Sequence, residues 1–306
     1  MTPAISPLGI GPMSPEIVEA VYRYSSLHEA PLMLIASKNQ IDWDKGYVMG
    51  WNTQAYGEFI QTMKQKYPSA HVFVCRDHCG PGFKKADMDD VYKTVEADLA
   101  AGFDLIHVDF CHYHGLREEA LQESAKLIEI ILQKKSSTLI EIGTDENTGA
   151  MLEDVDRIEQ EMRFFFFCFP IHFFVCQTGT LVKEINQVGQ FNEAFLQKVR
   201  TLADQFNLRL KEHNADYLPS EEVGRRKGLV DALNIAPQYG VLQTMLTLQK
   251  GLLYGLDITP FLREAYESRR WEKWLHVHTS ENKHLCSIIA GHYVFAGPAY
   301  QALLEG

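Results

Sequence analysis

Short apolar, β-rich runs alternate with amphipathic stretches along this chain. Eight such runs stand near residues 6–11, 31–36, 71–76, 104–110, 138–143, 172–177, 208–213 and 230–236. Between them lie segments of helical period: PEIVEAVYRYSSLHE, YGEFIQTMKQKY, MDDVYKTVEADLAAG, REEALQESAKLIEIILQKK, EDVDRIEQEMRF and EAFLQKVRTLADQF. Near-continuous apolar strands separated by helices imply a parallel sheet covered on its outer face. Eight repetitions in a chain of this length predict a closed (β/α)8 TIM barrel, α/β in class. The barrel is expected over residues 1–256. An apolar helix, YGVLQTMLTLQKGLLYG, follows the eighth run, and residues 257–306 are expected to be a C-terminal helical extension packed on the barrel or on a second subunit.

The polar residues fall in a pattern that changes the picture. Nearly every apolar run ends in a polar cluster: Ser37-Lys38-Asn39-Gln40, Arg76-Asp77-His78, Asp109 to His112, Glu141 with Asp145-Glu146, Gln177 to Thr180, His213 to Asp216, and Asn234. In a parallel barrel these ends share one rim, and barrel enzymes keep their chemistry there. A lone Asp or Thr is explained by helix capping. Capping does not explain His78, Glu141 and His213 together. Two imidazoles and a carboxylate from separate strands suit a divalent metal, Zn²⁺ first among them, with an open position for substrate. His78, Glu141 and His213 are therefore the expected metal ligands. Asp77, beside one of them, is the expected proton-transfer residue or else an orienting partner of an imidazole. Asn39, Gln40, Asp109, Asp145, Gln177, Asp216 and Asn234 are expected to bind substrate. Lys38 and Lys211 raise a minor alternative, a Schiff base with a carbonyl substrate. Lys84-Lys85 and Arg225-Arg226-Lys227 are the basic candidates for a phosphate, although exposed solvated runs explain them as well.

Composition narrows the class. The chain has 306 residues, is 46% hydrophobic and 23% charged, and carries a formal net charge of −11. That charge argues against nucleic acid and anionic membrane surfaces as partners. The Phe164–Cys176 run, FFFFCFPIHFFVC, is broken by Pro170 and His172 and is too short to span a bilayer as a helix. Six cysteines show no metal-type pairing in the sequence, which with the absence of a leader pattern predicts a reducing, cytoplasmic setting.

The ordered motifs RDHCGPG (76–82), AGFDLIHVD (101–109), EIGTDE (141–146), QTGT (177–180) and EHNADY (212–217) resemble the GatZ/KbaZ-like family, that of the tagatose-bisphosphate aldolase accessory subunit. The resemblance runs from roughly Gly9 to Thr244, and the WEKW tail (271–274) is similar too. It implies kinship with metal-dependent class II ketose-bisphosphate aldolases, the same barrel, and a divalent-metal site. By that resemblance Asp77 looks like the acid/base carboxylate, His78 like the adjacent metal ligand, Glu141 like the Glu of the acidic strand and His213 like the last metal His. The chain departs from class II aldolases where the sixth strand ends in QTGT in place of a His, so that Gln177 or an acid from the fifth strand would complete the metal's ligands. It departs again after His213, where NADYLPSEE stands in place of a glycine-serine phosphate loop.

These readings predict a metal-dependent lyase of the aldolase type acting on a ketose or ketose phosphate. The alternatives are a non-catalytic subunit that stabilises a class II aldolase, and a metal-dependent sugar epimerase. A homo-oligomer is expected.

Overall fold

The structure, a computed structural model, describes residues 6–151 and 154–305. Eight parallel strands close a barrel: β1 (Leu8–Ile10), β2 (Leu32–Ser37), β3 (Val72–Cys79), β4 (Leu105–Val108), β5 (Leu139–Gly143), β6 (Ile171–Val175), β7 (Arg209–Glu212) and β8 (Ala232–Ile235). Each pairs with its neighbours in sequence, and β8 pairs with β1 to close the ring. All eight runs expected from the sequence are strands, with ends moved by at most three residues. The predicted barrel fold is the observed one.

The helices are α1 (Pro15–His28), α2 (Thr53–Lys66), α3 (Met88–Ala100), α4 (Arg117–Lys134), α5 (Val155–Phe166), α6 (Glu193–Gln205), α7 (Ser220–Arg226) and α8 (Pro237–Leu253). Their starts follow the capping chemistry. Ser14, Asn52, Asp87 and Asn192 each accept a backbone N–H three residues on, from Ile17, Ala55, Asp90 and Phe195. The segment read as EDVDRIEQEMRF begins at Glu153, which lies outside the described residues; its remainder forms α5. Of the Phe164–Cys176 run only Ile171–Val175 is strand, because Phe164–Phe166 finish α5 and Phe167 stands exposed. The sequence reading did not single out α7 or the hairpin Val182–Lys183 with Asn186–Gln187 in the β6–α6 connection.

After α8 come α9 (Thr259–Glu267), α10 (Lys283–Ala290) and α11 (Pro298–Glu305). Phe261, Phe295 and Tyr300 bury against Leu248 of α8, so this tail packs on the barrel's last helix. Among the described residues no helix is long and apolar enough to cross a membrane. All six cysteines are free, with Cys111 and Cys168 exposed and the others buried.

Two apolar clusters fill the space between strands and helices, and a third fills the barrel itself. This inner cluster is Met33, Ile35, Cys75, Leu105, Leu139, Phe173 and Ala232. Side chains alternate across a strand, so residues two further on face the same interior one layer nearer the strand ends. That rule leads from Cys75 to Asp77, from Leu105 to His107, from Leu139 to Glu141 and from Ala232 to Asn234. The barrel thus changes from apolar to ionisable along its own axis.

Candidate active site

The layer above the apolar plug is an ion pair. Lys211 and Glu141, each at most 1% exposed, bond to one another, and the Lys211 ammonium also lies 4.6 Å from the centre of the Phe173 ring. Burial works against the Glu141 charge. Lys211, with help from His213 and His107, nevertheless holds its carboxyl at about 2.

Beside this pair stand Asp77, His78, His107 and His213, which each offer one donor atom, all within 4.8 Å of one another. His78 Nε2 and His213 Nδ1 are 3.2 Å apart. Two nitrogens bound to one tetrahedral Zn²⁺ at 2.0–2.1 Å would stand about 3.3 Å apart, so the spacing fits a shared ion. The tautomers are set from behind. His78 Nδ1–H donates to Asp109 Oδ2 at 2.7 Å, which leaves Nε2 facing the site. His107 Nε2–H donates to the Gly143 carbonyl at 2.7 Å, which leaves Nδ1 facing inward. An imidazole whose outer nitrogen is anchored on a carboxylate or carbonyl is the arrangement metal-binding histidines use. Two buried atoms of the group, Asp77 Oδ1 and His213 Nε2, have no hydrogen-bond partner. Three imidazoles, one carboxylate and orphaned polar atoms fit a divalent cation.

The carboxylates of the group favour positive charge beside them. Burial opposes the charge of Asp77, but the surrounding imidazoles hold its carboxyl well below the usual carboxylate range. Burial likewise opposes the charge of His78, while Asp77 and then Asp109 lift it to about 9. His213 is pushed down, chiefly by burial.

Consecutive strand residues point to opposite faces, yet Asp77 and His78 share the site. The β3–β4 register shifts between Arg76 and Cys79, and His78 takes a left-handed backbone with φ 48°. This bulge turns His78 inward beside Asp77.

The other expected residues take different places. Glu141 is inside the barrel, two residues short of the strand end; Lys211 engages its Oε2, while its Oε1 lies 3.4 Å from His213 Nε2 and 3.6 Å from His107 Nδ1. Asp145 is outside the four-residue donor group. Its carboxylate accepts a hydrogen bond from Thr180, and burial together with the Glu212 charge pushes its carboxyl well up. Asp109 backs His78 and does not face the cavity. Gln177 lines a separate cleft of about 300 Å³ with Asp109, Arg117 and Glu146. Lys38 is buried against Asp90 as Lys211 is against Glu141, so neither is the free amine a Schiff base needs. Arg76 turns outward, donating to Asp98 at 2.7 and 2.6 Å. Lys84, Lys85, Arg225 and Arg226 are paired with carboxylates.

Asn39, Gln40, Asp216 and Asn234 do meet Asp77, His78 and His213 around one cavity of about 250 Å³. Asp216 accepts the N–H groups of Ala236 and Gln238 at 3.1 and 2.8 Å, and burial lifts its carboxyl to about 7. The sequence reading missed His107, which the alternation Leu105–His107 could have revealed, and the cavity's C-terminal wall of Arg270, Lys273, Trp274, His292 and Tyr293. A second donor group, Cys111, His112 and Glu146, lies in loops beyond β4 and β5.

A comparison with known protein families finds no match. Among solved structures, the chain is similar to a probable tagatose 6 phosphate kinase from Sinorhizobium meliloti 1021, with TM-score 0.81 at 16% identity over 98% of this chain and 86% of that one. It is also similar to the YdjI aldolase from Escherichia coli K12, with TM-score 0.59 at 11% identity over 96% and 92%. A fructose-bisphosphate aldolase from Campylobacter jejuni matches with TM-score 0.59 at 13% identity over 98% and 90%. At these identities the likeness is one of fold: the chain has the barrel of structures that include aldolases.

Proposed function

We propose that this chain is a metal-dependent lyase of the aldolase type, acting on a ketose or ketose phosphate. The convergence of Asp77, His78, His107 and His213 at the mouth of an aldolase-like barrel supports this reading most directly. His78 and His213 would hold a divalent cation, with Zn²⁺ first by donor type, and Asp77 and His107 flank it. When bound, the cation supplies Lewis acidity toward a carbonyl oxygen.

The remaining work falls to the chain. Asp77, kept ionised, takes the proton of the substrate hydroxyl beside the bond that breaks and returns it in the reverse direction. Asp109 and the Gly143 carbonyl keep the imidazoles oriented. Asn234, with both amide atoms unpartnered, is free to bond a sugar hydroxyl. The Lys211–Glu141 pair and the apolar plug beneath it exclude water from the floor.

An exposed apolar strip on α8, with Leu242, Met245, Leu246 and Leu253, favours a second reading in which the chain assembles with another copy or with a class II aldolase subunit. One experiment separates the two. Metal-loaded wild type and Asp77→Asn are assayed on a panel of ketoses and ketose phosphates. Loss of the proton-transfer group is expected to lower the rate about 10²–10⁴-fold with metal content intact. No turnover by the wild type, together with rescue of a partner aldolase by both proteins, would overturn the enzymatic reading.

A further inference from the structure

The second donor group lies in the loops that follow β4 and β5, outside the site described above. Cys111, His112 and Glu146 each offer one ligand atom, all within 4.8 Å of one another. His112 Nε2 stands 3.1 Å from Glu146 Oε1, and the Cys111 thiol donates to that same oxygen at 3.7 Å. A tetrahedral Zn²⁺ holds sulfur at about 2.3 Å and nitrogen and oxygen near 2.1 Å. Its sulfur and oxygen ligands then stand about 3.6 Å apart, and its nitrogen and oxygen ligands about 3.4 Å apart. The two separations found here lie within about 0.3 Å of those values.

The surrounding chain holds the group in place. Adjacent residues of a strand point to opposite faces, so Cys111 and His112 can serve one point only from a turn. That turn is made where Asp109 Oδ1 accepts the Cys111 N–H at 3.0 Å and the Phe110 carbonyl accepts the Tyr113 N–H at 3.0 Å. The His112 ring packs 4.7 Å from the Phe83 ring. Gly82, at φ 87°, leaves room beside it, since a Cβ there would stand 2.5 Å from His112 Cβ. Cys111 and His112 are exposed and Glu146 is half-buried, so an ion can reach all three from solvent. Cys111 and Glu146 also line the cleft of about 300 Å³ that includes Gln177, which leaves space for water as a further ligand.

The donor set differs in kind from the first group. Asp77, His78, His107 and His213 offer only nitrogen and oxygen, whereas this group adds a sulfur. Thiolate, imidazole and carboxylate together suit Zn²⁺ and its softer relatives over Mg²⁺ and Ca²⁺, which take oxygen. The thiolate and the carboxylate also carry two negative charges to match a divalent ion. Cys168, the other exposed cysteine, belongs to no such group among the described residues.

We infer that Cys111, His112 and Glu146 form a second divalent-cation site, selective for Zn²⁺-like ions, that bridges the β4–α4 and β5–α5 loops at the rim. Binding exchanges the thiol proton, which leaves to solvent, for a metal–sulfur bond.

The test uses Co²⁺ as a spectroscopic stand-in for Zn²⁺ on the metal-free, reduced full chain. The first group contains no cysteine, so sulfur-to-metal charge-transfer absorption in the near ultraviolet reports the second site alone. Wild type should show that band on Co²⁺ titration, and Zn²⁺ should erase it by displacement. Cys111→Ser should lose the band with thermal unfolding of the metal-free chain unchanged, so that loss of the fold does not explain it. His112→Gln and Glu146→Gln should each weaken Co²⁺ binding read by the band about 10–100-fold or more, since even a residue behind a ligand is worth that much. Cys168→Ser and His213→Gln should leave the band and its affinity as they are. The second of these alters the first group, so the site stands whether or not that group binds an ion. No band in the wild type, a band that survives Cys111→Ser or is lost in Cys168→Ser, or an affinity unmoved in the His112→Gln/Glu146→Gln double variant overturns the inference. Loss of the band in His213→Gln does so too, because the ion would then belong to the first group.

Discussion

Replacing Lys211 with methionine removes one half of the ion pair that floors the site and leaves Glu141 buried with no cation beside it. Both side chains are at most 1% exposed, so water cannot take the place of the lost partner. Breaking a buried pair in this way costs about 3–5 kcal/mol, and Glu141→Leu should cost a similar amount by stranding the ammonium. The double variant Lys211→Met/Glu141→Leu strands neither charge and should recover most of the loss, so the coupling energy is about 3 kcal/mol or more. The cost also has a pH signature. In the wild type the Glu141 carboxyl sits at about 2, below its ordinary 4.5, so its contribution is present above about pH 4.5 and fades as the pH falls toward 2. Without Lys211, burial dominates and lifts the carboxyl above 4.5, so the variant loses stability as the pH rises from there. The gap between the two proteins must widen from pH 5 to pH 8. Urea unfolding of the metal-free full chain at those pH values measures it. Single substitutions that each cost under about 1 kcal/mol, or that simply add, would refute the pairing and free Glu141 to act as the metal ligand its sequence position suggested.

Asp109→Asn takes away the carboxylate that orients His78 and should weaken Zn²⁺ binding about 10–100-fold in a chelator competition, with the fold unchanged. Unaltered affinity would remove Asp109 from the metal site. Gly9→Ala should destabilise the barrel by about 1–3 kcal/mol, because the new methyl carbon would meet Asn234 Oδ1 at 2.3 Å. Adding Asn234→Ala should relieve much of that cost, and two independent penalties in thermal unfolding would contradict the clash. Asp216, lifted to about 7, contributes stability that is present below pH 3.8 and lost as the pH rises to 7. Asp216→Asn should therefore gain on the wild type across that window, and a constant difference between them in denaturation at pH 4 and pH 8 would contradict it.

The barrel was legible because its strands are buried on both faces and its helices are not, and this contrast survives in a single sequence. The site was legible only where polar residues follow an apolar run. His107 was lost inside LIHVD because Ile106 and Val108 made the segment look uniformly buried. The inward phase that takes Leu105 and His107 together, as it takes Leu139 with Glu141, carried the missing information. The same phase sets His107 beside Glu141 across the β4–β5 pairing, and Glu141 also meets Lys211 from β7. The C-terminal wall was beyond such reasoning. Arg270, Lys273 and His292 reach the cavity through tertiary packing on α8 and on a hairpin of four paired residues, and no local period encodes that contact.

The bulge at His78 shows how local and global demands were reconciled. A regular β3 would send Arg76 and His78 outward together and leave Asp77 alone at the mouth. Arg76 does go outward, where Asp98 and the carbonyls of Ala36 and Ile41 engage its guanidinium. For His78 to turn inward the strand must break phase within two residues, and the φ of 48° is the conformational cost. A non-glycine residue held in such a region costs about 1–3 kcal/mol and persists only where its surroundings over-determine it. Here the determinants are the charge-assisted bond from His78 Nδ1 to Asp109 and the 3.3 Å hydrogen bond from the His78 N–H to His107 Nδ1. Both come from β4 or the residue just after it, the strand against which the register shifts. Strain and the groups that hold it thus belong to one unit, and that unit presents a carboxylate and an imidazole side by side where a regular strand could present only one.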